Sequence, residues 1–411
     1  MDWMETMGIV LFENKKSCCG CGACANICPK GAITIKPDEL GFSYPVINSE
    51  LCVSCGACKK VCLYQNEAPL HNPICAYAAV NREQTQLEKS ASGGVFAAIA
   101  TYIVEKRGII FGATLDFENG HPIAHLIGVE DLNQLSRIQG SKYVQCAVEE
   151  TYKQAKKYLD EERKVLFSGT PCQIAGLYGY LKKNYSNLWT IDVICHGVPN
   201  QKFFDDFISL ERKNHGGLPI GYSFRDKKRG WGMNTRLDLK GSSGKAKSVY
   251  TPARLTSYNT LFLDGDTYRE NCYECPYACK KRVADITIGD FWGIEHEHHE
   301  LLRKAEFDEK KGISCVIVNT PKGMELLGEM KQKFYLCESS FEKIANKNGQ
   351  LNHPSVQSDR RKVVMEVYRK LGYDGVEKWF HKKYKKQIAI HSIYNAIPRK
   401  IRIALKSVLQ R

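Results

Sequence analysis

The sequence predicts a protein of mixed α+β and α/β class, in which a small cysteine-rich domain precedes a larger domain of alternating strands and helices. Its 411 residues exceed the roughly 250–300 at which a single core stops growing. Nine of its 18 cysteines precede residue 63. From residue 76 onward, short apolar runs alternate with amphipathic helical stretches, a pattern typical of a mainly parallel sheet covered by helices.

The composition is that of an ordinary globular protein, with 43% hydrophobic and 25% charged residues. No run approaches the roughly 18 apolar residues of a membrane span, and the first residues carry acids where a secretory signal carries positive charge. We therefore expect a cytoplasmic protein, in which clustered thiols indicate metal rather than disulfides. The net charge of +14 arises mostly after residue 358, so it says little about the body.

Two cysteine runs of identical spacing, 34 residues apart, dominate the first domain. Their members are Cys18, Cys21, Cys24 and Cys28, and then Cys52, Cys55, Cys58 and Cys62. This spacing suits loops that wrap 4Fe-4S cubes. The nearby Gly20, Gly22 and Gly56 would let backbone N–H groups approach the sulfurs. A zinc site needs only four ligands and does not explain two such runs. Between the runs, a turn at Gly41 separates two predicted strands.

Residues 15–65 resemble the bacterial two-cluster ferredoxin, in which the fourth cysteine of each run binds the other cluster. The resemblance implies one cluster on Cys18, Cys21, Cys24 and Cys62 and another on Cys28, Cys52, Cys55 and Cys58. The sequence departs from the family at Leu63, where proline is usual, and at Cys19, an extra thiol beside a ligand. We expect a ferredoxin-like two-cluster domain over residues 1–66, followed by a linker that ends at residue 75.

Two strand-to-helix turns in the body are candidate phosphate cradles, Ser90–Gly94 and Gly169–Cys172. A helix start offers free N–H groups and the positive end of the helix dipole to an anion. Neither turn matches a Walker or Rossmann fingerprint, and each can also be read as a plain helix cap.

Further cysteines lie at turns of the body. Cys172 begins a helix, Cys195 ends a strand, and Cys272 and Cys275 form a C-x2-C pair with Cys279 close behind. Ligands collect at strand ends in α/β sheets. These cysteines predict a third cluster or a metal site, and the alternative is a set of buried structural thiols.

Five ordered motifs mark the body: GTPCQIAGL (169–177), ICHGVPN (194–200), SFRDKKRGW (223–231), CYECPYA (272–278) and ADITIGDFWG (284–293). On these residues the body resembles the coenzyme F-420 hydrogenase/dehydrogenase beta-subunit family. The resemblance implies a larger α/β flavin-binding domain over residues 76–345, with FAD and its own 4Fe-4S cluster. It also implies a redox partner protein or ferredoxin and a small-molecule acceptor, and it leaves open FAD versus FMN and the acceptor's identity.

The same resemblance implies particular site residues. The third cluster would be held by Cys172, Cys195, Cys272 and Cys275, with Cys279 as the alternative ligand. The flavin would be lined by Ser90, Ser92, Gly93 and Gly94, by Gly140, Ser141, Lys142 and Tyr143, and by Gly169, Thr170 and Pro171. Lys142 would face a phosphate or the flavin ring, or it is a solvated surface lysine.

Three functional hypotheses follow. The leading one is an oxidoreductase that passes electrons from the ferredoxin clusters through the third cluster and FAD to an organic two-electron acceptor, deazaflavin-like or other. The second is an electron-relay subunit that serves a partner enzyme. The third is a cluster-stabilised nucleic-acid or membrane binder without flavin, which steep salt-dependent binding would support.

Four weaker features have competing interpretations. The histidines His296, His298 and His299 fit a charged surface loop better than a metal site. Asp285 and Asp290 would relay a proton or cap a turn. The basic and aromatic segment 225–231 would bind an acidic acceptor or nucleic acid, or form a solvated hairpin. In the basic helical C-terminal tail (346–411), an amphipathic face would contact a membrane weakly or pack on the body. That face comprises Ile393, Ile397, Ile401 and Leu405, and Pro398 would interrupt it.

Overall fold

The computed structural model describes residues 9–252 and 254–397. Its amino-terminal domain is built on a hairpin of β1 (Ile33–Pro37) and β2 (Ser43–Ile47), flanked by α1 (Ala23–Ile27) and α2 (Ala57–Lys60). The strands pair antiparallel, which confirms the predicted strand pair. Each helix begins after a glycine in the left-handed region, Gly22 with φ 74° and Gly56 with φ 72°, a conformation that other residues rarely adopt.

The rest of the chain alternates strands and helices. Its strands are β3 (Cys75–Asn81), β4 (Ile109–Glu118), β5 (His121–Val129), β6 (Val165–Gly169), β7 (Leu188–Val193), β8 (Leu218–Ser223), β9 (Thr235–Lys240), β10 (Ala246–Thr251), β11 (Ile286–Asp290), β12 (Ser314–Val318) and β13 (Phe334–Ser339). Its α-helices are α3 (Gln84–Lys89), α4 (Val95–Glu105), α5 (Leu135–Ile138), α6 (Thr151–Asp160), α7 (Pro171–Leu181), α8 (Gln201–His215), α9 (Ser257–Leu263), α10 (Ile294–Glu297), α11 (Pro321–Glu329), α12 (Phe341–Ala345), α13 (Asp359–Lys383) and α14 (Lys385–Ala396).

Eight strands form one sheet in the order β13-β3-β12-β11-β7-β6-β4-β5. The predicted class is confirmed, but the expectation of a mainly parallel sheet is wrong. β4, β6, β7 and β11 are parallel neighbours, whereas β12 lies antiparallel between β11 and β3. Every residue of β12 is buried. A strand buried on both faces is an apolar run in either direction, so its sequence does not reveal its orientation.

Helices cover both faces of this sheet. α6 and α7 pack against Phe111 and Phe167 on one face, in a core that also includes Ala23 and Val61 of the amino-terminal domain. α4 and α11 pack on the other face. The carboxyl ends of β6, β7 and β11 lie at one edge of the sheet, which is where open α/β sheets bind ligands.

A second sheet, in the order β10-β9-β8, forms an aromatic core with α8, α9 and α13. α13 therefore packs on the body with its buried side chains, Val364, Met365, Tyr368, Tyr373, Val376 and Phe380. α14 has no buried residue, and Ile393 is 65% exposed. Within the described residues, no helix has the length and apolar character that crossing a bilayer requires. Pro398, Ile401 and Leu405 lie outside the described residues.

The amino-terminal domain is pressed closely onto α7. A Cβ atom at Gly179 would lie 2.2 Å from the carbonyl oxygen of Val61. Because this clash involves backbone, we expect Gly179→Ala to lower the free energy of unfolding by about 1–3 kcal/mol. At Gly328 of α11 a Cβ would meet nothing within 4 Å, so Gly328→Ala should raise it by about 0.5–1 kcal/mol. Urea unfolding monitored by circular dichroism measures the free energy of unfolding of both variants. The same change in Gly179→Ala and Gly328→Ala would contradict the close packing at Gly179.

Candidate functional site

The eight ferredoxin-type cysteines gather into two neighbouring groups. Cys28, Cys52, Cys55 and Cys58, here called the outer set, line one pocket. Cys18, Cys21, Cys24 and Cys62, here called the inner set, line a second. These are the groupings that the ferredoxin resemblance implies. Cys58 borders both pockets, so the two sets are adjacent. Cys55 of the outer set is exposed, which makes this set the one nearer to solvent.

The surroundings of both sets suit thiolate ligands. The backbone N–H of Ala32 donates to Cys28 Sγ at 3.3 Å, and Gln65 Nε2 donates to Cys62 Sγ at 3.6 Å. Burial, and then the nearby thiols of the inner set, raise the pKa of Cys24. Thiols so buried and so close ionise together only around a cation, and hydrogen bonds to sulfur are a recurring feature of iron–sulfur sites. The residues therefore fit the clusters.

A third group of cysteines meets at the sheet edge described above. Cys172 lies in the first turn of α7 after β6, Cys195 follows β7, and Cys272 and Cys275 come from the loop before β11. Burial and then Cys272 and Cys172 raise the pKa of Cys195. Burial and then Cys172 and Cys272 raise the pKa of Cys275 to about 12. These four thiols, here called the third set, therefore lie close together.

Cys279 is oriented differently. Its thiol donates to its own loop, to the carbonyl oxygens of Pro276 at 3.4 Å and Lys281 at 3.2 Å. The thiols that act on Cys195 and Cys275 belong to the third set. The four cysteines of the third set thus influence one another's pKa, whereas the Cys279 thiol bonds within its own loop.

Cys19 connects the inner and third sets. This buried thiol lies within hydrogen-bonding reach of Cys21 of the inner set and Cys172 of the third set. The hydrogen bond from Cys19 lowers the pKa of Cys172. The contact is possible because α7 approaches closely: a Cβ at Gly176 would lie 3.0 Å from Cys21 Sγ. Sequence reasoning noted Cys19 only as an additional thiol.

In the expected flavin segments, some of the backbone N–H groups that could bind a phosphate already have hydrogen-bond partners within the chain. Gly93 N–H donates to Ser314 Oγ at 2.9 Å, and Ser92 Oγ donates to the carbonyl of Ile313 at 3.0 Å. Thr170 N–H donates to Gln173 Oε1 at 3.0 Å. Ser90 Oγ also stays local, donating to the carbonyl of Gln86 at 2.7 Å. Pro171 occupies the first helical turn of α7. Both turns therefore act at least partly as caps.

Tyr143, from one of the expected flavin segments, lies beside a buried ion pair. Arg225 contacts both carboxylate oxygens of Asp290, at 2.6 and 3.0 Å, and donates to Tyr143 Oη at 3.1 Å. Trp231 Nε1 donates to Asp290 Oδ1 at 2.8 Å, and the ring of Trp231 stacks on Trp292 at 4.5 Å. Asp290 therefore holds Arg225 and Trp231 rather than capping a turn.

The opposite side of this group is formed by Lys227. Its ammonium donates to the carbonyl of Ser92 at 2.8 Å, which joins segment 225–231 to the Ser90–Gly94 turn. Burial, and then Arg225, lower the pKa of Lys227 to about 8. The segment is thus packed against the body and is not a solvated hairpin.

The remaining flavin candidates lie at residues 140–143. Gly140 is exposed and has φ 79°, and Ser141 is half-buried beside it. The Lys142 ammonium donates to the carbonyls of Gln139 at 2.7 Å and Arg137 at 3.1 Å, at the end of α5. Burial lowers the pKa of Lys142 to about 8. Lys142 is therefore not a freely solvated lysine. Its ammonium is held by backbone carbonyls at the end of α5.

Two weaker candidates have structural partners. Asp285 is buried and accepts hydrogen bonds from the backbone N–H and Oγ1 of Thr190, both at 2.8 Å, and from Thr320 Oγ1 at 2.7 Å. His298 Nε2 lies 2.8 Å from Ser339 Oγ. Within residues 9–252 and 254–397, no three His, Cys, Asp or Glu side chains are close enough together to hold a single metal ion.

Sequence reasoning missed several residues that shape this region. Trp292 and His196 lie within two of the five motifs, so their membership of those motifs could have identified them as candidates. Burial lowers the pKa of His196, and Asp290 acts in the opposite direction. Arg269 and Arg282 are fully buried. The sequence did not indicate this, because a single arginine is usually expected on the surface.

Comparisons with known proteins bear on both parts of the chain. Residues 17–66 match the model of the 4Fe-4S dicluster domain. Residues 162–344 match the model for the C terminus of the coenzyme F420 hydrogenase/dehydrogenase beta subunit. No curated protein matches. One similar solved structure is a chain of the xenon-derivatized F420-reducing [NiFe] hydrogenase complex from Methanosarcina barkeri, with 14% identity and a TM-score of 0.40 over 72% of this chain and 93% of that chain. The resemblance drawn from the motifs is thus confirmed: a region similar to a dicluster ferredoxin domain is joined to one similar to the C terminus of this beta subunit.

Proposed function

We propose that this chain is an iron–sulfur flavoprotein oxidoreductase that carries electrons through three 4Fe-4S clusters and FAD to an organic two-electron acceptor. One observation supports the proposal: the inner set adjoins both the outer set and α7, the helix whose first turn holds Cys172. Cys58 borders the pockets of the outer and inner sets, and a Cβ at Gly176 of α7 would lie 3.0 Å from Sγ of Cys21 in the inner set. Such a succession suits electron transfer from the surface inward.

The residues for each group can be named. The outer, inner and third sets would each hold one cluster. The flavin would lie near Tyr143 and the Ser90–Gly94 turn, which segment 225–231 contacts through Arg225 and Lys227. When bound, a flavin exchanges single electrons with clusters and electron pairs with an organic acceptor. At neutral pH, Lys227 is mainly protonated, since its pKa is about 8, so it supplies positive charge for a phosphate or an anionic ring.

The outer set would receive the electrons. Cys55 is exposed, and Val53 beside it is 58% exposed. Lys30, Lys59 and Lys60 are exposed next to cysteines of this set. An apolar contact surrounded by positive charge suits a partner protein that is an acidic one-electron carrier.

A relay subunit without its own substrate is the second candidate. It is favoured by the backbone N–H groups of Gly93 and Thr170, which already have partners within the chain and so leave fewer donors for a flavin phosphate. In that case the third set would deliver electrons to a partner enzyme.

Anaerobic reoxidation kinetics separate the two candidates. The purified chain is reduced with dithionite and mixed with deazaflavin or quinone acceptors while flavin absorbance is followed. We expect bound flavin to be reduced and then reoxidised by at least one acceptor. With an acidic ferredoxin as donor, Cys55→Ala should slow flavin reduction at least tenfold, whereas Cys337→Ala, on the edge strand β13, should not. Absence of flavin, or flavin that no acceptor reoxidises, would favour the relay.

A further inference from the structure

Arg269 is a buried cation that forms no ion pair with any residue that the structure describes. Its side chain is 0% exposed, yet its hydrogen bonds go to neutral oxygens: Nε donates to the carbonyl of Cys18 at 3.0 Å, and Nη1 to the carbonyl of Ser43 at 2.7 Å. Among the residues that the structure describes, Nη2 has no hydrogen-bond partner. The comparably buried Arg282 is instead paired with Asp192 at 3.1 Å. Within residues 9–252 and 254–397, Arg269 therefore has no carboxylate partner, unlike Arg282.

Its position joins the inner and third sets. The carbonyl of Arg269 accepts a hydrogen bond from the backbone N–H of Cys272, of the third set, at 3.0 Å. Its guanidinium reaches across to the carbonyl of Cys18, of the inner set. The ring of Tyr44 covers the guanidinium at 3.8 Å and closes it off from solvent.

Burying a charge is costly unless an opposite charge or hydrogen bonds offset the loss of hydration, and Nη2 of Arg269 has neither among the described residues. A 4Fe-4S cube with four thiolates is an anion, and reduction makes it more negative. We propose that Arg269 is the counter-ion shared by the inner and third clusters and that it raises the reduction potentials of both. This inference rests on the proposed function for the third cluster, whereas for the inner cluster it requires only the ferredoxin-type domain.

The step concerned is simple to balance. One electron passes from a low-potential one-electron carrier to a cluster. The carrier is oxidised, the cluster is reduced, no covalent bond forms or breaks, and no proton is transferred. A fixed positive charge nearby favours the more negative, reduced form, because the attraction grows with the charge on the cluster and is little screened in the interior. Arg269 would thus act on the clusters through its fixed positive charge, without binding iron.

The test is an EPR-monitored redox titration of the anaerobically purified holoprotein, with iron and sulfide counted in each sample. We expect Arg269→Met to lower the equilibrium constant for reduction of the inner cluster at least tenfold, which is about 59 mV for a one-electron couple. Arg269→Lys, which keeps the charge, should remain within about threefold of wild type by the same relation. The matched control is Arg82→Met, because Arg82 also donates to a carbonyl, that of Phe334, and covers a tyrosine ring, but is exposed at the far edge of the sheet.

Each outcome decides the matter. An unchanged inner-cluster potential in Arg269→Met, with full iron content, would overturn the inference, as would an equal shift in Arg82→Met. If Arg269→Met loses iron while Arg269→Lys keeps both its iron content and the wild-type reduction potential, the positive charge is the property required, and the inference holds. Loss of iron from both variants would assign Arg269 to the fold alone and overturn it. Absence of a third cluster or flavin in the wild type would remove the proposed function, and the inner-cluster shift would still decide the role of Arg269.

Discussion

Replacing Cys172 by alanine is expected to remove one complete cluster, from about twelve irons per chain to about eight. Cys172 lies in the first turn of α7 at the carboxyl end of β6, its charge raises the pKa of Cys195 after the neighbouring strand, and the hydrogen bond from Cys19 lowers its own pKa. A cube that loses one of four thiolates at a buried site is not expected to survive purification. Iron and acid-labile sulfide assays measure the loss, and the EPR signals of the inner and outer clusters should remain.

Cys279→Ala is the matched control for this prediction. Cys279 lies four residues after Cys275 in the same loop, but its thiol bonds to the carbonyls of Pro276 and Lys281. We expect its replacement to leave the iron count unchanged. Full iron in Cys172→Ala, or loss of a cluster in Cys279→Ala, would show that the third set is wrongly composed.

The second large effect is expected at Arg282, which ties the cysteine loop to the central sheet. Its guanidinium donates to Asp192 at 3.1 Å and to the carbonyl of Tyr277 at 2.8 Å, and its backbone exchanges two hydrogen bonds with His71. The side chains of Arg282 and Asp192 are 1% and 0% exposed. Arg282→Met leaves a buried carboxylate unpaired, so we expect it to cost about 3–5 kcal/mol and to lower the occupancy of the third cluster.

Thermal unfolding of the anaerobic protein, monitored by circular dichroism, measures this cost as a fall in Tm. The double variant Arg282→Met with Asp192→Asn removes both charges and should recover much of the loss. Arg163→Met breaks a partly exposed pair with Glu130 and should cost only about 0–1 kcal/mol. A Tm for Arg282→Met equal to that of Arg163→Met would contradict a supporting role for the buried pair.

The parts of the fold that the sequence revealed are those set by local spacing. The two cysteine runs, the hairpin around Gly41 and strands such as β6 and β7 all carry their signal within a few residues. The β4–β5 hairpin was missed although Asn119 and Gly120, both with positive φ, form the Asn-Gly turn that favours such a hairpin. That omission was avoidable. The orientation of β12 was not predictable, since burial on both faces hides it.

For the candidate site, too, residues with a local sequence pattern could be proposed, whereas pairs distant in the sequence could not. The sequence allowed Cys172, Cys195, Cys272 and Cys275 to be proposed, because several cysteines at turns, two of them in a C-x2-C pair, are conspicuous. The role of Arg225 with Asp290 was not accessible, because the partners are 65 residues apart and each had a local explanation as hairpin or cap. The packing of α13 was also hidden: Gly372 departs from helical geometry, with φ 63°, so its buried residues follow no single helical face.

The central claim is that three clusters lie in one chain, with the inner and third clusters adjacent. EPR spin quantitation of the fully reduced, anaerobic wild-type protein tests it most directly. We expect about three cluster spins per chain, with spectra broadened by coupling between neighbours. Two uncoupled spins per chain, or a colourless preparation without a cluster signal, would contradict the account.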